Sequence, residues 1–134
     1  MEQVKRRLHF EGCYVVEAMK RSGGMALLWH EDIKIKMIQH TSFTIEVQIQ
    51  DTETQTDWWF IGIYASCWDQ MRKQQWKVIG ERKRLWGDRW VIAGDFNDIL
   101  TNKEKWGGTL REDWSFTDFR KFISGNDLVD IGFE

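Results

Sequence analysis

The sequence predicts a domain of mixed α and β structure, with helices packed on a mixed sheet, and three observations lead there. Apolar and polar residues alternate with period two between positions 33 and 49, positions 58–64 form a nearly unbroken apolar run, and beyond position 68 helical stripes alternate with short apolar runs. Strands, helix, strand, helix, strand in that order place helices against a sheet rather than in a bundle. The 134 residues, 42% hydrophobic and 30% charged, bury one modest core, enough for one domain or part of one. No repeat, low-complexity stretch or proline marks a linker.

Cys13-Tyr14-Val15-Val16 and Met25-Ala26-Leu27-Leu28-Trp29 flank Arg21-Ser22-Gly23-Gly24 and read as two strands joined by a glycine turn. Ile33, Ile35 and Met37 alternate with Lys34 and Lys36, and Phe43, Ile45, Val47 and Ile49 alternate with Thr44, Glu46 and Gln48. Successive strand side chains point to opposite faces, so both segments are expected as half-buried strands, antiparallel across the break from Gln39 to Ser42. After a polar loop from Asp51 to Asp57, the run from Trp58 to Tyr64 is expected as a central strand covered on both faces. Trp76, Ile79, Lys83 and Trp86 then fall on one stripe, which gives a surface helix from about Trp68 to Trp86, weakened by Gly80 and ended by Gly87-Asp88. Trp90-Val91-Ile92-Ala93 reads as the next buried strand and stops at Gly94-Asp95-Phe96-Asn97. A polar loop containing Gly107-Gly108 leads to a second helix from about Ser115 to Ser124, with Phe116, Phe119 and Phe122 or Ile123 inward and Gly125-Asn126 as its cap. Leu128-Val129-Asp130-Ile131 is expected to begin a further strand.

Lys plus Arg number 19 against 21 Asp plus Glu, a net charge of −2, which excludes a basic tail or an extreme polyelectrolyte. Nine tryptophans exclude a disordered polar chain. No apolar run approaches the roughly 18 to 20 residues that a membrane-spanning helix needs. The opening residues carry charge but no apolar signal core, so an intracellular protein, of nucleus or cytoplasm, is expected. Cys13 and Cys67 are too far apart for a CxxC pair and are expected as thiols, and His9, His30 and His40 fit no zinc spacing.

The chemistry concentrates in Val91-Ile92-Ala93-Gly94-Asp95-Phe96-Asn97. A buried strand delivers two short polar side chains, Asp95 and Asn97, two residues apart and on one side if the extended conformation persists. Asp can take a proton from water or bind a cation, and Asn can orient a phosphate oxygen or an attacking water without adding charge. The same two residues are also turn formers that close a strand.

The tract from Gly94 to Leu100, followed by Lys103-Glu104-Lys105-Trp106-Gly107-Gly108, then Phe119-Arg120-Lys121-Phe122 and Asp127-Leu128-Val129-Asp130-Ile131-Gly132-Phe133, resembles the endonuclease/exonuclease/phosphatase family. Within that family it is most similar to the endonuclease region of plant LINE-type retrotransposon polyproteins. Arg21-Ser22-Gly23-Gly24-Met25-Ala26-Leu27-Leu28-Trp29 and Phe60-Ile61-Gly62-Ile63-Tyr64 precede it in the expected order. The resemblance implies an α/β (α+β) sandwich, part of a DNase I-like fold with two mixed or antiparallel sheets flanked by helices. It also implies Mg²⁺-dependent hydrolysis of phosphodiesters, with DNA as the partner. By resemblance, Asp95 matches the carboxylate that aligns or deprotonates the attacking water. Asn97 matches the amide that holds that water or a phosphate oxygen, and Tyr64 the phenol that contacts the phosphate at a strand end; Tyr64 is equally read as an interior aromatic closing its strand.

The family's metal-binding Glu would lie ahead of Met1 and its Asp-His pair beyond Glu134. Residues 1–134 are therefore expected as a partial domain, with the main Mg²⁺ ligand unmatched. The implied function is a fragment of a metal-dependent DNA endonuclease domain, inactive alone. The alternatives are a non-catalytic nucleic-acid-binding or inert remnant, and a phosphoesterase acting on small phosphoesters. A partial sandwich leaves sheet edges unpaired, which invites self-association. Arg72, Lys73, Lys77, Arg82, Lys83, Arg84 and Arg89 against Glu81 and Asp88 give the first helix region a balance of +5. That face reads either as a backbone-tracking surface or as an ordinary solvated helix. Arg82, Lys83 and Arg84 are not all expected at the Asp95 rim, because consecutive helical residues point about 100° apart.

Overall fold

The computed structural model describes residues 2–18, 23–98 and 117–132. In chain order its elements are α1 (Glu2–Arg7), β1 (Gly12–Val16), β2 (Met25–Trp29), β3 (Lys34–His40), β4 (Thr44–Gln50), β5 (Asp57–Tyr64), α2 (Asp69–Trp86), β6 (Trp90–Asp95) and α3 (Thr117–Gly125). β1 and β2 form an antiparallel two-stranded sheet, and the other four strands form a sheet ordered β3-β4-β5-β6. β3, β4 and β5 pair antiparallel through short turns, whereas β6 runs parallel to β5. Two parallel neighbours need a crossover, and α2 provides it.

β5 is an inner strand, as its apolar run implies, but it is buried on one face rather than both: Trp58, Phe60 and Gly62 on the other face are half-buried and Tyr64 is exposed. Trp59, Ile61 and Ile63 point to the helical face, where they meet Trp76, Ile79 and Trp86 of α2 and Phe119 and Phe122 of α3 in one core. Aromatic stacking fills the space between the helices: Trp76 lies over Phe122 with ring centroids 4.5 Å apart and over Phe119 at 5.5 Å. Trp90 packs against Trp86 at 4.9 Å where α2 meets β6.

Four further expectations change. β4 is buried on both faces rather than one. Ile45 and Val47 lie on the face that the β1–β2 hairpin approaches, while Thr44 and Glu46 lie under α2 with no exposed surface. Glu46 is tolerated there because its carboxylate is fully partnered. It accepts from Arg82 Nε at 2.6 Å and Nη2 at 2.5 Å, from Gln39 Nε2 and Thr44 Oγ1 at 2.9 Å, and from Trp86 Nε1 at 3.3 Å. Burial alone would raise the Glu46 pKa, but the Arg82, Gln39 and Thr44 hydrogen bonds and the Arg82 charge outweigh it and hold the group below the usual glutamate value.

β3 breaks its alternation at a register shift between Ile35 and Met37, which turns Met37 outward and brings Ile38 opposite Val47. β6 is half-buried, not buried: Trp90 and Ile92 face the helices, but Val91 and Ala93 are exposed on the other side. The segment after α3 is not a strand. Asp127 turns the chain at φ 54°, Asn126 Nδ2 caps the Phe122 carbonyl at 2.7 Å, Leu128 folds back onto the core, and Val129 and Ile131 remain exposed. The left-handed cap residue is thus Asp127, two residues beyond Gly125.

Arg21, Ser22, Phe116 and the tract 99–115, with Gly107-Gly108, lie outside the described residues. No described helix is long and apolar enough to cross a membrane.

Candidate active site

The parallel strands β5 and β6 end side by side, with Tyr64 and Asp95 as partners in their last rung. Partners in such a pair project from the same face, here the face turned away from α2. The ladder continues one step, with the Ala65 N–H donating to the Asp95 carbonyl at 2.8 Å. The chain then bends at Asn97, which takes φ 49°. Asp95 Oδ1 accepts the Asn97 backbone N–H at 2.9 Å, and Asn97 Nδ2 donates to the Ala65 carbonyl at 2.6 Å. This is a side-chain-closed turn of the kind Asp and Asn favour. The strand-closing reading of these two residues is therefore realised in the structure, and one of the two Asn97 side-chain N–H groups is spent on it.

Gly94 and Phe96 place the rim. Gly94 takes φ 139°, and a Cβ there would lie 2.1 Å from the Ile63 carbonyl oxygen, so β6 reaches β5 this closely because the residue has no side chain. Phe96 points into the helical core, 5.6 Å from Phe119 and 6.3 Å from Trp76, which leaves the residues on either side of it at the surface. The β1–β2 hairpin closes the other side: a Cβ on Gly23 would sit 3.2 Å from Tyr64 Cε1.

Two loops leave the rim, and one arginine ties them together. Arg72 is buried, with Nε donating to Asp98 Oδ2 at 3.2 Å, Nη1 to the Ser66 carbonyl at 3.2 Å, and Nη2 to Asp69. The loop after β5 is further held by Ser66 N–H donating to Gln75 Oε1 at 2.8 Å and by Trp68 N–H donating to Ser66 Oγ at 3.0 Å. The sequence groups Arg72 with a basic helix surface, but the structure buries it. Its signal is its spacing: it lies four residues before Trp76 on the stripe that continues through Ile79 and Trp86. Arg82 is likewise engaged with Glu46, and Arg82, Lys83 and Arg84 lie in the last turns of α2, far along the helix from the rim where it begins.

Among the described residues, the Tyr64 hydroxyl and Asp95 Oδ2 carry no hydrogen bond, and Tyr64 is 44% exposed. An acceptor and a phenol on one rung can hold a water beside a phosphoryl oxygen. Mg²⁺ demands several oxygens in near-octahedral array. Among the described residues no three His, Cys, Asp or Glu side chains gather to hold a metal, and Asp98, the carboxylate nearest to Asp95 in sequence, is paired with Arg72. These donors do not fit a resident Mg²⁺.

No protein-family description and no curated protein sequence matches the chain. Its fold does find counterparts among solved structures. It superposes on the endonuclease domain of TRAS1, a telomere-specific non-LTR retrotransposon, with a TM-score of 0.67 and 15% identity, over 99% of this chain and 65% of that one. A crystal structure of TDP2 from Caenorhabditis elegans matches at a TM-score of 0.47 and 10% identity, over 79% of this chain and 36% of that one. The chain thus spans 65% of the length of the TRAS1 endonuclease domain. Strand order, the β5–α2–β6 crossover and the superposition agree: the chain carries part of a DNase I-like fold.

Proposed function

We propose that the chain is part of a phosphodiesterase domain of the retrotransposon endonuclease type, acting on DNA with a divalent metal. In this reading Asp95 aligns or deprotonates the attacking water, Asn97 fixes the turn that presents it, and Tyr64 contacts the phosphate. The observation that carries the reading is the shared rung of Tyr64 and Asp95, within a fold common to 99% of this chain and the TRAS1 endonuclease domain. In-line attack on phosphate depends chiefly on positioning and charge neutralisation. The rim supplies positioning and one carboxylate, so residues 1–134, as a partial domain, do not cleave by themselves.

The test is nicking of supercoiled plasmid with and without Mg²⁺, by these 134 residues and by the same residues within a longer chain that completes the domain. Cleavage by the longer chain alone, lost on Asp95→Ala, is expected. Cleavage that survives Asp95→Ala would remove Asp95 from the chemistry. Among the described residues β3 and β6 have no outer strand partner, and the same reading has the isolated chain associate through these edges, visible as concentration-dependent mass in sedimentation.

A second reading, a nucleic-acid-binding module without catalysis, is favoured by one feature: Asp95 Oδ1 and one Asn97 side-chain N–H are already committed to closing the turn. Salt-sensitive DNA binding by the longer chain without nicking would select it.

A further inference from the structure

α2 and α3 cross over the helical face of the sheet and leave between them an open groove of about 470 Å³. It lies on the far side of the helical layer from the face where Tyr64 and Asp95 project. Three lysines from two helices converge on it: Lys73 and Lys77 from α2 and Lys121 from α3. Asp118 is the acidic residue in the lining, and it pairs with Lys73 at 3.4 Å. Lys77 and Lys121 have no ion-pair partner among the described residues. The groove therefore carries a local charge of +2, three lysines against Asp118, in a protein whose net charge is −2. Trp76 and Phe122, which stack on each other and are almost wholly buried, reach the base of the groove with a small apolar margin.

Unpaired ammonium groups over an apolar base match a chain in which anions alternate with puckered, weakly polar sugar rings. We propose that the α2–α3 groove binds the sugar–phosphate backbone of a nucleic acid, with Lys77 and Lys121 on phosphates and the deoxyribose rings against Trp76 and Phe122. A small free anion would use the charges but not the floor, and an apolar peptide would leave both lysines unmatched. The site is separate from the Tyr64–Asp95 rim, so binding there does not depend on the atoms that would react. Asp118 limits it by occupying Lys73.

The experiment measures binding of a fluorescently labelled DNA duplex by anisotropy across a salt series, without Mg²⁺, so that cleavage plays no part. Each phosphate neutralised contributes about 0.9 to the slope of log K against log salt. Lys77→Gln with Lys121→Gln is expected to lower that slope by about 1.8, weakening binding more than tenfold at roughly 0.1 M salt. Asp118→Asn releases Lys73 and is expected to raise the slope by about 0.9 and tighten binding. A gain in slope with an unchanged thermal transition cannot come from misfolding, so this variant keeps the test decisive even if the lysine variant is unstable. An unchanged slope in the lysine variant together with no gain in Asp118→Asn would overturn the proposal, as would tighter lysine-dependent binding of an acidic peptide than of DNA. Lysine-dependent DNA binding by a chain that never nicks would sustain the groove while defeating the nuclease reading.

Discussion

Replacing Arg82 with Met keeps the aliphatic stem that packs along α2 and removes the guanidinium. Glu46 then remains in place with no exposed surface, holding Gln39, Thr44 and Trp86 as neutral donors and no compensating cation. Breaking a buried pair by removing one member costs about 3–5 kcal/mol, because the remaining charge is stranded in a medium that solvates it poorly. Arg82 is itself about a quarter exposed, and water reaching the vacated space relieves part of this, so the lower end, about 3 kcal/mol, is the expected loss at neutral pH. For a chain of this length that corresponds to roughly 10 °C in Tm.

The pH dependence separates this cause from simple loss of packing. In the wild-type protein the Glu46 pKa lies below its unfolded value, so the pair stabilises above the unfolded glutamate value, about 4.3, and the contribution fades as pH falls through the lower folded value. In Arg82→Met the stranded carboxyl is pushed the other way, takes up a proton more readily when folded, and regains stability as pH falls. The difference between the two proteins should therefore be largest near pH 7 and narrow toward pH 4. Urea denaturation at pH 7, 5.5 and 4.5, followed by circular dichroism, measures it, and Glu46→Gln with Arg82→Met should recover most of the loss. A penalty under 0.5 kcal/mol at pH 7, or one that does not change with pH, would refute the argument.

Two glycines should respond in opposite directions. Gly94→Ala forces a side chain into φ 139° and places its Cβ 2.1 Å from the Ile63 carbonyl oxygen, so a loss of more than about 3 kcal/mol is expected by denaturant titration, together with a disturbed Tyr64–Asp95 rung. Gly80→Ala meets nothing closer than Asn126 Oδ1 at 3.8 Å, an ordinary contact, and should stabilise α2 by about 0.5–1 kcal/mol, seen as a higher Tm.

The sequence by itself determined the local structure and much of the layering. Period two at positions 33–49, the apolar run ending at Tyr64 and the stripe through Trp76, Ile79 and Trp86 are one-dimensional records of which face is buried, and they placed β4, β5 and α2 to within a residue and β3 to within three. The Gly-Asp-Phe-Asn tract also marked where a strand must stop. Tertiary structure alone decided that β6 runs parallel beside β5, which makes Tyr64 and Asp95 neighbours although 31 residues separate them. It decided that Glu46, polar and in alternation with apolar residues, lies under a helix, because the cation that neutralises it comes from Arg82, 36 positions away. It likewise turned Arg72 from a surface charge into the tie between two rim loops. Periodicity reports whether a side chain is covered, but pairing energies between distant residues depend on which partner the fold brings within 3 Å, and no local pattern carries that information.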